Sequence, residues 1–386
     1  MLTVGLRTGW AWDIPQLAVL KRWFRLSGAD EGVLEWIVKH AHSWQMWIHF
    51  WLEEAERERV EAQRALDAGH FVTARARFHQ SVLAYALALW QTSRLEDRKH
   101  LYPQVLESFA IYGALTIPPI EKLDIAFDPV PLPAYLRLPR VPAPGERLPV
   151  VVLVQGLDTI KEMDDFAEQP LLERGLATLT LDEPGVGEAR LRGLRLNSIP
   201  ILEAAAHAVC EAVKERPELD ANRIGIFGWS FGGFVAPYFA AVEPRYSVLG
   251  TLGVMWEFPF PEGMARNPLY GPVLRLMTGI DDEQDLITLL KQLTLAPVAQ
   301  QIGAPSALLH GGDDHLLAEG ARHLLAAISA EKILRMVPGA DHGLTWHRDA
   351  ELPLLWDWFA DHLGPEASSM TSPEKLRQNS HQVIVT

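Results

Sequence analysis

Six residues, Gly228-Trp229-Ser230-Phe231-Gly232-Gly233, follow the apolar run Ile224-Gly225-Ile226-Phe227 and precede Phe234-Val235-Ala236. This is the G-x-S-x-G arrangement of a nucleophile elbow, in which a serine sits on a tight, strained strand-to-helix turn. The glycines answer a steric need, because side chains at the flanking positions would collide with neighbouring backbone. The turn presents the hydroxyl and puts the next amide, that of Phe231, at a helix N-terminus, where it can stabilise an oxyanion. The pattern alone is common, and its place between a buried strand and a helix is what gives it weight. The chemistry implied is nucleophilic attack on a carbonyl.

A serine hydroxyl needs a base to take its proton and a third group to orient that base. Leu308-Leu309-His310-Gly311-Gly312-Asp313-Asp314 offers a strand, a turn and a carboxylate in succession. Val337-Pro338-Gly339-Ala340-Asp341-His342-Gly343 places a histidine in a loop straight after another strand. Ser230, Asp314 and His342 are therefore the expected nucleophile, orienting acid and general base. Asp314 is preferred because it stands three residues after Gly311, and Asp313 is the alternative. Of the other histidines nearby, His310, His315 and His347 lack this position with a glycine behind it; His310, at a strand end, is expected to pack or hydrogen-bond structurally.

The second oxyanion donor should come from a loop after an early strand. Gln155-Gly156-Leu157-Asp158-Thr159 follows Val150-Val151-Val152-Leu153-Val154, which makes the Leu157 amide the candidate beside that of Phe231. Asp182-Glu183-Pro184-Gly185-Val186-Gly187 is another loop at a strand end, and its glycines and proline suggest a role in shape. Asp158, Trp229 and Glu257, the last in Trp256-Glu257-Phe258 beyond a strand ending near Val254, are candidate substrate contacts.

These groups need a scaffold. Residues 13–117 read as helical, with apolar residues at three- and four-residue steps in Leu34, Ile37, Val38, Ala41, Trp44 and Ile48, and in Phe78, Val82, Tyr85, Ala86 and Leu89. Gly69 separates two helices. Tryptophans at 10, 12, 23, 36, 44, 47, 51 and 90 crowd this region. They read as core filling of a helical layer, while Trp44, Trp47 and Tyr85 are candidates for lining a pocket, which needs large rigid side chains. Pro118-Pro119 ends the helices. Beyond it strands alternate with helices, a helix over residues 199–216 among them, as in a mostly parallel, doubly wound sheet. The expected organisation is a helical N-terminal lid domain (1–117), an α/β catalytic domain (118–364) with a small helical insertion (256–298), and a mobile polar tail (365–386).

The 386 residues accommodate a core domain plus an accessory one. Hydrophobic residues at 48% and charged residues at 22% fit a soluble globular protein. The net charge of −14 argues against nucleic acid or an anionic membrane as partner. The single cysteine, Cys210, excludes an internal disulfide and lies in a small-residue helical run, where it packs. There is no signal peptide or membrane-length apolar run, so a cytoplasmic location is expected. Zinc spacing, a phosphate-binding lysine loop and a dinucleotide fingerprint are also missing, and no metal or cofactor is expected.

The chain resembles the branch of α/β hydrolases that includes dihydropseudooxynicotine hydrolase, the fungal hydrolases that shorten polyketide chains and the fermentation-respiration switch proteins. The resemblance rests on Gly156-Leu157-Asp158-Thr159 with Lys161-Glu162, on Asp182 to Gly187, on Gly228 to Gly233, on the aspartate and histidine loops, and on the helical region ahead of the sheet. It covers roughly residues 30 to 363. It implies the α/β-hydrolase fold, a helical N-terminal lid, a dimer, and cofactor-free cleavage of esters or of carbon–carbon bonds in β-diketone-like substrates by Ser, Asp and His. The expected substrate is a bulky, apolar or aromatic small molecule. Acyl transfer or cyclisation on the same triad, and a non-catalytic regulatory protein of this fold, are the alternatives.

Overall fold

The computed structural model describes residues 28–90, 92, 95–268 and 270–364. Trp10, Trp12, Trp23 and the polar tail at 365–386 lie outside the described residues. The chain divides into two compact units, one of residues 1–121 with 162–167 and one of residues 122–161 with 168–386.

The first unit contains α1 (Glu31–His40), α2 (Trp44–Asp67), α3 (Phe71–Trp90) and α4 (Leu95–Ala114). The apolar recurrence from Leu34 to Ile48 suggests one helix, but the structure makes two. Ala41 is extended and Ser43 caps α2, its side chain accepting from the Met46 amide at 3.2 Å. A serine in that place satisfies a donor the helix start leaves orphaned, which favours a break over continuation. Small residues let α2 and α3 approach closely: Ala55, Ala62 and Ala74 are fully buried, and Ser81 Oγ donates to Ala55 O at 2.9 Å. Trp47 is fully buried, stacked edge-on with Trp44 and Trp51, and its indole N–H donates to Leu87 O at 3.2 Å. Tyr102 and Tyr112 of α4 donate to Glu162 and Asp165, tying segment 162–167 to this unit.

The second unit carries an eight-stranded sheet in the order β1-β2-β4-β3-β5-β6-β7-β8. Its strands are β1 (Glu121–Ile125), β2 (Leu132–Arg137), β3 (Leu148–Val154), β4 (Ala177–Leu181), β5 (Leu219–Trp229), β6 (Tyr246–Leu252), β7 (Ser306–Gly311) and β8 (Lys332–Val337). β2 runs antiparallel to β4, and every pairing from β4 through β3 and β5 to β8 is parallel. β3 is buried at all seven positions, as its valine-rich sequence requires of a strand covered on both faces. From β3 the chain goes to β4 on one side and then returns to β5 on the other. At such a reversal open α/β sheets bind ligands, at the carboxyl ends of the strands.

Two glycines of β5 show the double winding. Residues three apart on a strand face opposite sides. A Cβ on Gly225 would meet Phe359 at 2.9 Å, in the helix Pro353–Leu363, whereas one on Gly228 would meet Ala236 at 2.9 Å, in the helix Gly232–Val242. The helix Pro200–Glu215 buries Leu202, Ala205, Ala206, Val209, Cys210 and Val213, a stripe at three- and four-residue spacing. Burial pushes the Cys210 thiol up to about 12, in keeping with a packing role. Three short helices, Pro261–Arg266, Tyr270–Thr278 and Glu283–Gln292, fill the connection from β6 to β7. Among the described residues no helix is long and apolar enough to cross a membrane.

Candidate active site

β5 runs out at Trp229 and the next helix begins at Gly232, so Ser230 must turn the chain within two residues. Its φ of 59° lies in the left-handed region that non-glycine residues rarely adopt. Strain of this kind persists only where the surroundings over-determine it. Here the Ser230 amide donates to Leu252 O at 2.9 Å, and the Ser230 carbonyl accepts from the Gly233 amide at 2.9 Å. The glycine requirement is met by backbone at all three positions. A Cβ would fall 2.0 Å from Gly232 O at Gly228, 2.6 Å from Val154 O at Gly232, and 2.2 Å from Gly253 O at Gly233.

His342 Nε2 lies 2.9 Å from Ser230 Oγ, and His342 Nδ1 lies 2.7 Å from Asp314 Oδ2. The structure thus brings Ser230, His342 and Asp314 into one hydrogen-bonded chain, while Asp313 is exposed. Two loops hold Asp314 and His342 together through backbone. Gly312 donates to Val337 O at 2.8 Å and Asp313 donates to Ala340 O at 2.9 Å. Asp341, next to the base, accepts from both the amide and the hydroxyl of Thr345 and so fixes the far side of the histidine loop.

Asp314 is largely buried, which alone would raise its pKa. The imidazoles of His310 and His342 beside it more than offset this and hold the carboxyl well below the usual carboxylate range. An ionised carboxylate only accepts, so Nδ1 of His342 carries the proton that it donates to Asp314. Nε2 is then left with its lone pair toward the serine hydroxyl, the arrangement a general base requires.

The loop after β3 packs directly on the serine. A Cβ on Gly156 would lie 3.5 Å from Ser230 Cβ and 3.5 Å from the Trp229 ring. Among the described residues the Leu157 and Phe231 amides donate to no carbonyl. Trp229 is buried against this loop, so it supports the turn from behind. Asp158 is half-buried, and its charge reaches Tyr270 in the β6–β7 connection, whose hydroxyl is raised by burial first and by Asp158 second. Glu257 is exposed and its backbone bridges Thr294 at the base of the same connection. Trp44, Trp47 and Tyr85 belong to the helical unit. Trp44 is half-buried, Trp47 fully enclosed, and Tyr85 buried with its hydroxyl donating to Glu56 at 3.2 Å.

Three features go further than the sequence indicates. Asp182 has more than a part in turn shape: its carboxylate accepts from the Lys161 amide at 2.9 Å, the Glu188 amide at 2.7 Å and Lys161 Nζ at 3.2 Å. Lys161 also reaches Glu188 at 2.7 Å, and the buried trio clasps the Leu157 loop to the loop after β4. The signal was there in the pairing of a lysine after one strand with acids after the next. Gly253, at the end of β6 with φ 74°, makes room for the base, because a Cβ there would lie 3.0 Å from His342 Cε1. His310 lies fully buried beside Asp314, with Nε2 3.1 Å from Oδ2.

Comparisons with known proteins give the family and the fold. The family model described as Esterase FrsA-like matches residues 30–256. The 2,6-dihydropseudooxynicotine hydrolase of Paenarthrobacter nicotinovorans is 28% identical over 326 residues, covering 82% of this chain and 84% of that protein. The α/β hydrolase ucsC of an Acremonium species is 30% identical over 244 residues, 58% of this chain, and the match spans 49% of that protein. Among solved structures, the crystal structure of the 2,6-dihydroxy-pseudo-oxynicotine hydrolase superposes with a TM-score of 0.78 at 24% identity, covering 89% of this chain and 96% of that one. Wild-type AbyA5 superposes with a TM-score of 0.69 at 20% identity, covering 95% and 99%. These likenesses show the α/β-hydrolase fold.

Proposed function

The chain belongs to the FrsA-like esterase family and is a hydrolase of α/β fold, and we propose that it cleaves an acyl bond through Ser230, His342 and Asp314. The observation that carries this reading is the unbroken chain Ser230 Oγ–His342 Nε2 at 2.9 Å and His342 Nδ1–Asp314 Oδ2 at 2.7 Å, on a serine held at positive φ. Ser230 Oγ attacks the substrate carbonyl while His342 Nε2 takes the hydroxyl proton. The Leu157 and Phe231 amides, free of other carbonyls, receive the oxyanion. As the tetrahedral intermediate collapses, His342 returns the proton to the leaving group and an acyl-serine remains. Water attacks it, His342 takes a proton again, and the released carboxylic acid leaves the serine restored.

The leaving group is an alkoxide in an ester, or an enolate when a second carbonyl flanks the scissile carbon–carbon bond. Both fit the same steps. The substrate class is a bulky apolar or aromatic small molecule. Support comes from the relative named as a 2,6-dihydropseudooxynicotine hydrolase.

The test is a panel of aryl esters and aryl β-diketones offered to the wild type and to Ser230→Ala. The expected result is turnover of at least one class and a loss on the order of 10⁴-fold or more in kcat in the variant. A Ser230→Ala protein keeping a tenth of the activity overturns the nucleophile. Products carrying an added alcohol or amine in place of water move the reading to acyl transfer.

A further inference from the structure

We propose that His310 is a positioning residue for the acid of the triad: its Nε2, 3.1 Å from Asp314 Oδ2, steadies that carboxylate in line with His342 as a close electrostatic contact, and the Val254 amide keeps His310 in the tautomer that turns its ring N–H toward this side. This rests on the triad reading above. His310 is the penultimate residue of β7 and is fully buried. The Val254 amide donates to its Nδ1 at 3.0 Å. A backbone amide can only donate, so Nδ1 must offer its lone pair, and the proton of the neutral ring sits on Nε2. That nitrogen lies 3.1 Å from Asp314 Oδ2, the same oxygen that takes the His342 Nδ1–H, in an electrostatic contact that is off the line of a regular hydrogen bond.

One carboxylate oxygen therefore stands between two imidazoles, whose rings meet nearly edge to face at 72°. A carboxylate with a single partner can swing about its Cβ–Cγ bond, whereas one approached from two sides cannot. The second approach also changes the charge that His342 feels. The titratable groups acting on Asp314 are His310 and His342, and they keep it ionised against its burial. By sharing the negative charge, His310 weakens the pull of Asp314 on the His342 proton. Without His310, the whole charge of the carboxylate falls on the His342 Nδ1–H. The competing explanation is that His310 merely fills space at the end of β7 and caps the Val254 amide.

Two substitutions separate the roles. In His310→Asn the side-chain oxygen takes the place of Nδ1 and still accepts from Val254, but the shorter amide does not reach Asp314. In His310→Gln the amide nitrogen takes the place of Nε2 and can donate to Asp314, while Val254 loses its acceptor. The readouts on the purified full-length chain are the rate of labelling by a fluorophosphonate across pH, p-nitrophenyl acetate hydrolysis, and melting temperature. The expected result for His310→Asn is a fall of roughly tenfold or more in labelling and kcat. Its acid limb should move up by on the order of half to one pH unit, with the smaller loss of melting temperature of the two variants. His310→Gln should show the larger drop in melting temperature, with most of the activity and the wild-type limb retained. A His310→Asn protein with wild-type rates and limb overturns the proposal, as do two variants whose rates fall with their stability while the limb stays in place. Ser230→Ala run alongside separates the two failures. If it is dead toward both reagents while His310→Asn behaves as wild type, only the role of His310 is lost. If Ser230→Ala still reacts, the triad reading falls and the proposal with it.

Discussion

Substituting Gly253 by alanine should damage catalysis more than stability, and the structure gives the size of both effects. Gly253 has φ 74°, so alanine there carries the left-handed cost of about 1–2 kcal/mol. The added Cβ would lie 3.0 Å from His342 Cε1, 3.3 Å from its Nδ1 and 3.2 Å from its carbonyl oxygen. Ordinary van der Waals contact needs several tenths of an ångström more, and the base must give way by about that much. Since a misplacement of about 1 Å can cost 10²-fold, a shift of this size predicts a loss of roughly tenfold in kcat. Gly145 provides the control. Its φ is 81°, and a Cβ there meets nothing within 4 Å. Gly145→Ala should therefore lose a similar amount of stability and no activity. The measurements are melting temperature and kcat on a p-nitrophenyl ester for both variants. If both lowered melting temperature alike and neither changed kcat, the claim that Gly253 makes room for the base would be wrong.

Asp314→Asn should lower kcat by about 10⁴-fold, because the amide can no longer hold the Nδ1 proton of His342, whereas exposed Asp313→Asn should leave kcat within a few-fold; matched kinetics would reveal the reverse ranking. Burial pushes the Glu188 carboxyl up, but Lys161 and then Arg192 pull it down to about 2 from an ordinary 4.5. A depressed carboxylate stabilises the fold above its unfolded pKa, and the stability is lost as pH falls from about 4.5 toward 2. Its share is on the order of 2–3 kcal/mol, and Glu188→Gln should flatten that acid arm in unfolding curves. Trp47→Ala should lower stability by roughly 3–5 kcal/mol with KM unchanged, since the indole is fully enclosed and bonded to Leu87 O; a KM change without loss of melting temperature would make it a pocket residue.

The parts of this enzyme that follow short-range rules were legible in the sequence. A strained strand-to-helix turn demands glycine at fixed offsets, so Gly228 to Gly233 announced Ser230. Strands buried on both faces must be β-branched and apolar, which made β3 readable. The choice between Asp313 and Asp314 leaned on loop spacing, and the geometry puts Asp314 on the histidine. What escaped depended on contacts across the chain. The spacing of Leu34 to Ile48 suited one helix, and only the cap at Ser43 divided it. Lys161 and Asp182 are 21 residues apart and meet because β3 and β4 pair in parallel register. Gly253 looks like any strand-end glycine until His342 arrives from 89 positions on. His310 was expected to hydrogen-bond structurally, and which carboxylate it faced could not be read without the turn that follows it.

The crowding around the elbow also bears on how such an enzyme can diversify. With backbone oxygens filling the space beyond Gly228, Gly232 and Gly233, almost any missense change at those three codons removes the enzyme from the population. Tuning by drift near Ser230 is then confined to positions 229 and 231, which hold aromatic side chains that are nearly fully buried. A change there would have to be matched by repacking of the Gly156 loop or of the core. Lineages that acquire new substrates should therefore leave the turn untouched and vary the short helices between β6 and β7, where exposed Phe260 and Glu257 constrain little.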